Sequence, residues 1–268
     1  MNAGRTRIRV FLVVFLFFPV RGFAAADPVF RITAADIPFV AAGFAVFTGG
    51  LAADTFLPYP VWNGQKNDIT SVNPVDRYFS RPYSKPPDVM ATTLVWILGA
   101  APFALTQLPD AGWKEVSVLY LETLLYSQGL KEGLKACIHR YRPYTYYGDP
   151  DTGTVTPGDY VKSWPSGHVT TAFAGAVFSA YVYCAYYPDS EYRQAVVASC
   201  LLSASAVGVL RMMSGSHFLT DVLGGALLGS SVGFLVPFLH KVGSEKGHRT
   251  EPVRLLLYPS GAGLRVSF

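Results

Sequence analysis

Five stretches of this chain are apolar over a length that matches the hydrocarbon thickness of a bilayer: Val89 to Leu108, Val116 to Leu134, Val169 to Tyr187, Gln194 to Val209 and Phe218 to Leu239. A helix needs about 20 residues for that crossing, and fewer where its margins help. Hydrocarbon offers no partner to a backbone N–H or C=O, so such stretches must be helices that bond internally. A soluble bundle would instead show polar faces every three to four residues. The blocks therefore predict an all-α fold, a polytopic membrane helical bundle of five to six transmembrane helices. The sixth candidate, Ile37 to Ala53, is interrupted by Pro38, Gly43, Gly49 and Gly50. It either spans or lies in the interface.

Composition points the same way. Charged residues make up 15% of the chain and aromatics 14%, whereas soluble domains carry roughly 25% charge. The net charge of +4 is scattered over loops and tail, which argues against a nucleic-acid partner and leaves membrane lipid as the expected one. Cys137, Cys184 and Cys200 lie in or beside apolar runs, with neither CxxC nor Cys/His ligand spacing. They read as small buried apolar residues rather than a disulfide or a metal site.

Along the chain, Arg5, Arg7 and Arg9 precede the apolar run Val10 to Val20 and the small residues Ala24, Ala25 and Ala26. That is the layout of a signal peptide cut near Ala26, or of an uncleaved N-terminal anchor. Residues 27–240 then form one membrane domain, and 241–268 a basic tail. The tail closes on two short apolar runs about a Pro-Ser-Gly turn, the pattern of a short C-terminal hairpin. From Asp54 to Asp88, Pro58, Pro60, Pro74, Pro82, Pro86 and Pro87 exclude a long regular helix. The rings of Tyr59, Trp62, Tyr78, Phe79 and Tyr83 in that stretch resemble a belt resting at the headgroups. No internal repeat is present.

Three polar clusters interrupt the apolar pattern at helix ends: Lys135 to Pro143 (KACIHRYRP), Trp164 to His168 (WPSGH) and Arg211 to Asp221 (RMMSGSHFLTD). Singly, each has an ordinary explanation, since terminal Lys and Arg snorkel and Pro-Ser-Gly makes a turn before a helix. Counting crossings brings all three to one face of the membrane. The opposite face holds the short links and the basic tail, and the positive-inside tendency makes it cytoplasmic. The clusters then look outward. With a cleaved signal and a mature N-terminus outside, this arrangement works only if Ile37 to Ala53 does not cross; if it crosses, a cytoplasmic N-terminus is needed.

Charge near hydrocarbon costs roughly 2.5–3.5 kcal/mol per group on insertion scales, so such groups pair and line polar cavities. His217 and Asp221 are four apart, the spacing of one helix face. A carboxylate there can accept one imidazole proton and leave the other nitrogen with its lone pair outward, as a nucleophile requires. Lys135, Arg142 and Arg211 bring three cations, two of them forked guanidiniums suited to tetrahedral oxyanions. Ser166 and Gly167 open a helix, whose free N–H groups favour anions. His168 at the same start can protonate a leaving oxygen and later activate water. His139, His168 and His217 lack convergent carboxylates at ligand spacing, so no metal or other cofactor is expected.

Lysine, six residues and Arg-Pro, then Pro-Ser-Gly-His, then Arg, five residues, His, three residues and Asp resembles the type 2 phosphatidic acid phosphatase (PAP2) superfamily across Lys135 to Asp221. The resemblance implies that His217 forms a phosphohistidine, with Asp221 orienting it and His168 as general acid. It implies that Lys135, Arg142, Ser166, Gly167 and Arg211 hold the phosphate. Leu210 departs from the pattern, where the superfamily usually has Ser, and this loses a hydroxyl contact to phosphate. The resemblance implies a lipid phosphate monoester or diphosphate as substrate: phosphatidic acid, phosphatidylglycerol phosphate, polyprenyl diphosphate or a lipid A phosphate. A secretory signal and an outward site favour the outer leaflet of a bacterial inner membrane. Soluble acid phosphatases and vanadium haloperoxidases share the anion pocket, but the long apolar runs argue against both. Two other readings are an anion or phosphate transporter, opposed by the missing repeat, and an inactive lipid-binding relative, opposed by the filled catalytic positions.

Overall fold

The computed structural model describes residues 29–108, 111–148, 158–242, 253–258 and 261–266. The signal or anchor expected over residues 1–26 lies outside the described residues. The apolar blocks are helices, as expected: α1 (Ile37–Phe56), α3 (Lys85–Ala100), α4 (Trp113–Cys137), α5 (Gly167–Tyr186), α6 (Arg193–Met213) and α7 (Leu219–Leu239). A six-residue α2 (Pro74–Phe79) lies between α1 and α3, and α3 continues as a 3-10 turn over Ala101–Gln107. Among the described residues, five helical segments are long and apolar enough to cross a membrane: Ile37–Phe56, Lys85–Gln107, Gly167–Tyr186, Arg193–Met213 and Leu219–Leu239. The sixth, α4, is longer at 25 residues but carries Lys114, Glu115, Glu122, Lys131, Glu132 and Lys135. The tail forms the expected antiparallel hairpin, β1 (Val253–Tyr258) with β2 (Gly261–Val266), Val253 opposite Val266.

The helix ends alternate between two faces. Residues before α1 meet the end of α7, where Arg31 N donates to His240 O at 3.3 Å and Val242 N to Val29 O at 3.0 Å. The other end of α1 meets the loop after α4, where Asp54 Oδ1 pairs with Lys162 Nζ at 2.6 Å. Thus α1 runs the full depth of the bundle. Residues 57–84, 138–148, 158–166 and 214–218 gather on one face, and the three polar clusters with them.

Helix α5 sits in the centre and packs most closely on α7. No apolar side chain of ordinary size separates them at three places. A Cβ on Gly225, Gly229 or Gly233 of α7 would lie 2.6 Å from Ser166 O, 2.3 Å from Thr170 O or 2.5 Å from Ala174 O. Small residues at every fourth position let two membrane helices touch backbone to backbone, which replaces the missing hydrophobic drive with van der Waals contact. α1 and α4 use the same device, since a Cβ on Gly50 would stand 2.2 Å from Gly129 O. The start of α5 is pinned to α7 by Ser166 N donating to Asp221 O at 3.0 Å.

Candidate active site

The loop between α6 and α7 carries His217. Gly215, at φ +66°, turns the chain there, and a Cβ at that position would meet Pro82 O at 2.4 Å. Two other loops clamp this turn: Ser84 N donates to Ser214 O and Tyr144 N to Gly215 O, each at 3.1 Å. His217 is 1% exposed. Its Nδ1 lies 2.7 Å from Ser163 O, and a carbonyl only accepts, so Nδ1 carries the proton. Its Nε2 lies 3.3 Å from Arg142 Nη1, and a guanidinium only donates, so Nε2 holds the lone pair. Burial, then the positive charges of Arg142, Arg211 and Lys135, push the imidazole well below its ordinary range. The ring is a neutral base aimed at two buried arginines.

Asp221 does not take the Nδ1 proton directly. Its Oδ2 stands 3.8 Å from Nδ1, while that oxygen accepts from Ser163 Oγ at 2.5 Å and Phe218 N at 2.7 Å. The reason is local backbone geometry. Helix α7 begins at Leu219 and Phe218 is extended at φ −78°, ψ 166°, so His217 precedes the helix and the four-residue spacing does not stack it on Asp221. The carboxylate instead fixes Ser163, the residue whose carbonyl holds the ring, and closes the first turn of α7.

The cations expected from the sequence converge on this histidine. Arg142 and Arg211 are each 5% exposed. Arg142 Nη2 pairs with Asp159 Oδ1 at 2.6 Å and its Nε donates to Asp159 O at 2.8 Å. Arg211 Nη1 pairs with Asp88 Oδ1, the same oxygen that accepts from Ser216 Oγ at 3.2 Å. Among the described residues, Arg211 Nε and Ser166 Oγ are buried without a hydrogen-bond partner. Both belong to residues expected to hold an oxyanion. Ser166 is the residue before α5, and a Cβ on Gly167 would stand 3.2 Å from Lys135 Nζ and 3.1 Å from Lys131 Cδ. Glycine there lets the lysines lie across the helix start, where backbone N–H groups point outward.

His168 is held from α3. Its Nε2 lies 3.1 Å from Thr92 Oγ1, and Thr92 Oγ1 donates its one proton to Asp88 O at 2.9 Å. The hydroxyl is therefore the acceptor, and Nε2 of His168 carries hydrogen. His139 is exposed and takes no part.

Six residues of the site had no sequence signal that singled them out. Ser163, Thr92, Asp88 and Asp159 are described above, and Arg140 and Asp76 form a second layer. Arg140 Nη1 donates to Asp221 Oδ1 at 2.5 Å and to Thr220 Oγ1 at 2.6 Å, and its Nη2 to Asp76 Oδ2 at 2.6 Å. Its guanidinium lies over the Phe218 ring at 4.5 Å. Asp76, fully buried, also accepts from Thr220 N at 2.9 Å, Thr220 Oγ1 at 2.7 Å and Asn73 Nδ2 at 2.6 Å. Burial works to raise the Asp76 carboxyl, but the hydrogen bonds from Thr220, Arg140 and Asn73 outweigh it and hold it below the ordinary carboxylate range.

Residues 117–242 match the PAP2 superfamily, a stretch that contains all eight site residues expected from the sequence and leaves Asp76, Asp88 and Thr92 outside it. The chain resembles that superfamily. Lipid A 1-phosphatase of Rhizobium johnstonii is 33% identical over 110 residues, 40% of this chain and 41% of that protein. The chain thus matches about two fifths of the relative's length. The crystal structure of the first transmembrane PAP2 type phosphatidylglycerolphosphate phosphatase from Bacillus subtilis aligns with a TM-score of 0.41 and 25% identity, over 80% of this chain and 94% of that one.

Proposed function

We propose that this protein is a membrane phosphatase that hydrolyses a lipid phosphate monoester or diphosphate through a phosphohistidine. The observation that carries the reading is the neutral His217, with its proton fixed on Nδ1 by Ser163 O at 2.7 Å and its Nε2 3.3 Å from Arg142. In the first step the Nε2 lone pair bonds to phosphorus while the bond from phosphorus to the leaving oxygen breaks, and His168 gives that oxygen its proton. In the second, His168 takes a proton from water, the water oxygen bonds to phosphorus, and the P–N bond breaks to release phosphate. Arg142, Arg211, Lys135 and the N–H groups at the start of α5 neutralise the equatorial oxygens, the largest demand of phosphoryl transfer. Asp221 secures the histidine through Ser163.

The substrate class follows from the surroundings. The site lies at the ends of membrane-length helices, so a phosphate on a lipid headgroup reaches it without leaving the bilayer. Phosphatidic acid, phosphatidylglycerol phosphate, polyprenyl diphosphate and lipid A phosphates all qualify, and the likeness to a lipid A 1-phosphatase supports including the last. With α1 as a span, an outward site in a bacterial inner membrane puts residues 29–36 and Lys241 on the cytoplasmic side.

Phosphate release from that panel of lipids by detergent-solubilised protein tests the reading. His217→Ala is expected to lower turnover by about 10³-fold or more while the protein stays folded, as loss of a nucleophile does. Retained turnover in that variant would remove His217 from the mechanism. Because arginine and lysine supply the positive charge, EDTA is expected to leave the rate unchanged. Inhibition reversed by magnesium would point to a different chemistry.

A further inference from the structure

We propose that Asp76 is a positioning residue for His217, acting through Arg140 and Asp221 to keep a negative charge behind the imidazole while its Nε2 bonds to phosphorus. The inference rests on the phosphatase reading above and extends the site to a segment outside the matched residues 117–242.

The argument is one of charge. When Nε2 forms its bond to phosphorus, the ring becomes cationic, and a carboxylate near Nδ1 stabilises that state. Asp221 is the nearest, with Oδ2 at 3.8 Å. Arg140, however, lies 2.5 Å from the other oxygen of Asp221, and as an isolated pair the two would cancel. Asp76 changes that sum. It engages the other arm of the same guanidinium at 2.6 Å, so the trio of one cation and two carboxylates keeps a net charge of −1 beside the histidine.

The geometry also transmits position. Thr220 N and Oγ1 both donate to Asp76, and Arg140 Nη1 donates to Thr220 Oγ1. Thr220 and Asp221 are adjacent in the first turn of α7. On the backbone side, Ser163 N donates to Arg140 O at 3.1 Å, and Ser163 O holds the His217 proton. Arg140 therefore meets the nucleophile by two routes, one through its side chain and one through Ser163, and Asp76 fixes the far arm of that side chain. An Asp that merely anchored α2 to the bundle would need only Asn73 and Thr220. The bond to Arg140 is what joins it to the chemistry.

The test compares Asp76→Asn, Asp76→Glu, Asp221→Asn and the Asp76→Asn/Asp221→Asn double variant, as full chains in detergent, on whichever of the four lipid phosphates the wild type hydrolyses fastest. Asp76→Asn is expected to lower kcat by about 10- to 100-fold, the usual range for a supporting shell, with KM little changed. Asp76→Glu is expected to recover part of the loss. The double variant is expected to fall no further than Asp221→Asn alone, because residues in one network are not additive. Unchanged kcat in Asp76→Asn, a loss confined to KM, or losses that multiply in the double variant would each overturn the proposal. Should Asp76→Asn fail to fold, Thr220→Val removes the hydroxyl shared by Asp76 and Arg140. A several-fold fall in kcat is expected there, and no fall overturns the proposal. A wild type inactive on every lipid in the panel overturns the phosphatase reading itself, and this inference with it, whereas an active wild type with an equally active Asp76→Asn overturns this inference alone.

Discussion

His217 sits where a neutral imidazole is the only comfortable state, and that has a measurable consequence. Burial first, then Arg142, Arg211 and Lys135, hold its folded-state pKa well below that of a free histidine. The unfolded chain takes up a proton on this residue as pH falls below about 6.5, and the folded chain does not. By linkage, stability is flat above that pH and declines below it, by up to about 1.4 kcal/mol per pH unit for one proton. Thermal unfolding of wild type and His217→Gln, followed from pH 8 to pH 5, is the check. The variant is expected to be less stable at pH 8 through loss of the Ser163 bond, and the gap is expected to narrow as pH drops. A gap that widens on acidification would mean that the folded protein protonates His217. The sequence showed which residues face the histidine but not which of them bonds to it. Spacing assigned one imidazole proton to Asp221, whereas the extended Phe218 leaves the Nδ1 proton to Ser163 O. At Leu210, where the superfamily usually has Ser, the carbonyl accepts from Ser214 N at 2.9 Å.

At the scale of elements, the apolar runs located the long helices because length in hydrocarbon leaves no other secondary structure. Ile37 to Ala53 stayed undecided for a physical reason. Gly43, Gly49 and Gly50 read as helix breakers in sequence, yet two of them are contact points. A Cβ on Gly43 would meet Leu125 Cβ and Tyr126 Cε2 at 3.3 Å, and one on Gly50 would overlap Gly129. Glycine weakens a helix by roughly 1 kcal/mol in isolation, and close packing offsets that cost. The same contacts predict which helix pair is least tolerant. Gly229→Val would drive its side chain into Thr170 O and Ala174 N, backbone atoms that cannot rotate away, and would push α7 off α5 beneath both histidines. The expected outcome is loss of the monodisperse peak in detergent size exclusion, or a Tm lowered by several degrees, with Gly49→Ala as the control since nothing lies within 4 Å of a Cβ there. Equal behaviour of the two variants would refute backbone contact as the cause. By contrast, Asp76 comes from α2 and Asp88 from the first turn of α3, both within the proline-rich stretch Asp54 to Asp88, where no period links residue to neighbour, so nothing in the sequence tied them to His217 or Arg211.

For the whole molecule, the alternation of helix ends turns orientation into a single question with a direct answer. Residues 57–84, 138–148, 158–166 and 214–218 share the site's face, while residues 29–36, Ala111, Gly112 and Lys241 share the other. If the site faces outward, as the basic tail favours, an exposed position on the site's face is reachable from outside an intact cell and Lys241 is not. Asn63 and Lys241 are both exposed and lie on opposite faces. With Cys137, Cys184 and Cys200 replaced by Ser, single cysteines at Asn63→Cys and Lys241→Cys can be challenged with a membrane-impermeant maleimide on intact cells and again after permeabilisation. Asn63→Cys is expected to react in both, and Lys241→Cys only in the second. The reverse pattern would place the phosphate site in the cytoplasm and with it a substrate on the inner leaflet. Reaction of both on intact cells would contradict the odd number of crossings that the five helices α3, α4, α5, α6 and α7 impose between these two positions, and with it the reading of α4, whose six charged residues make it the least apolar of the long helices, as a membrane span.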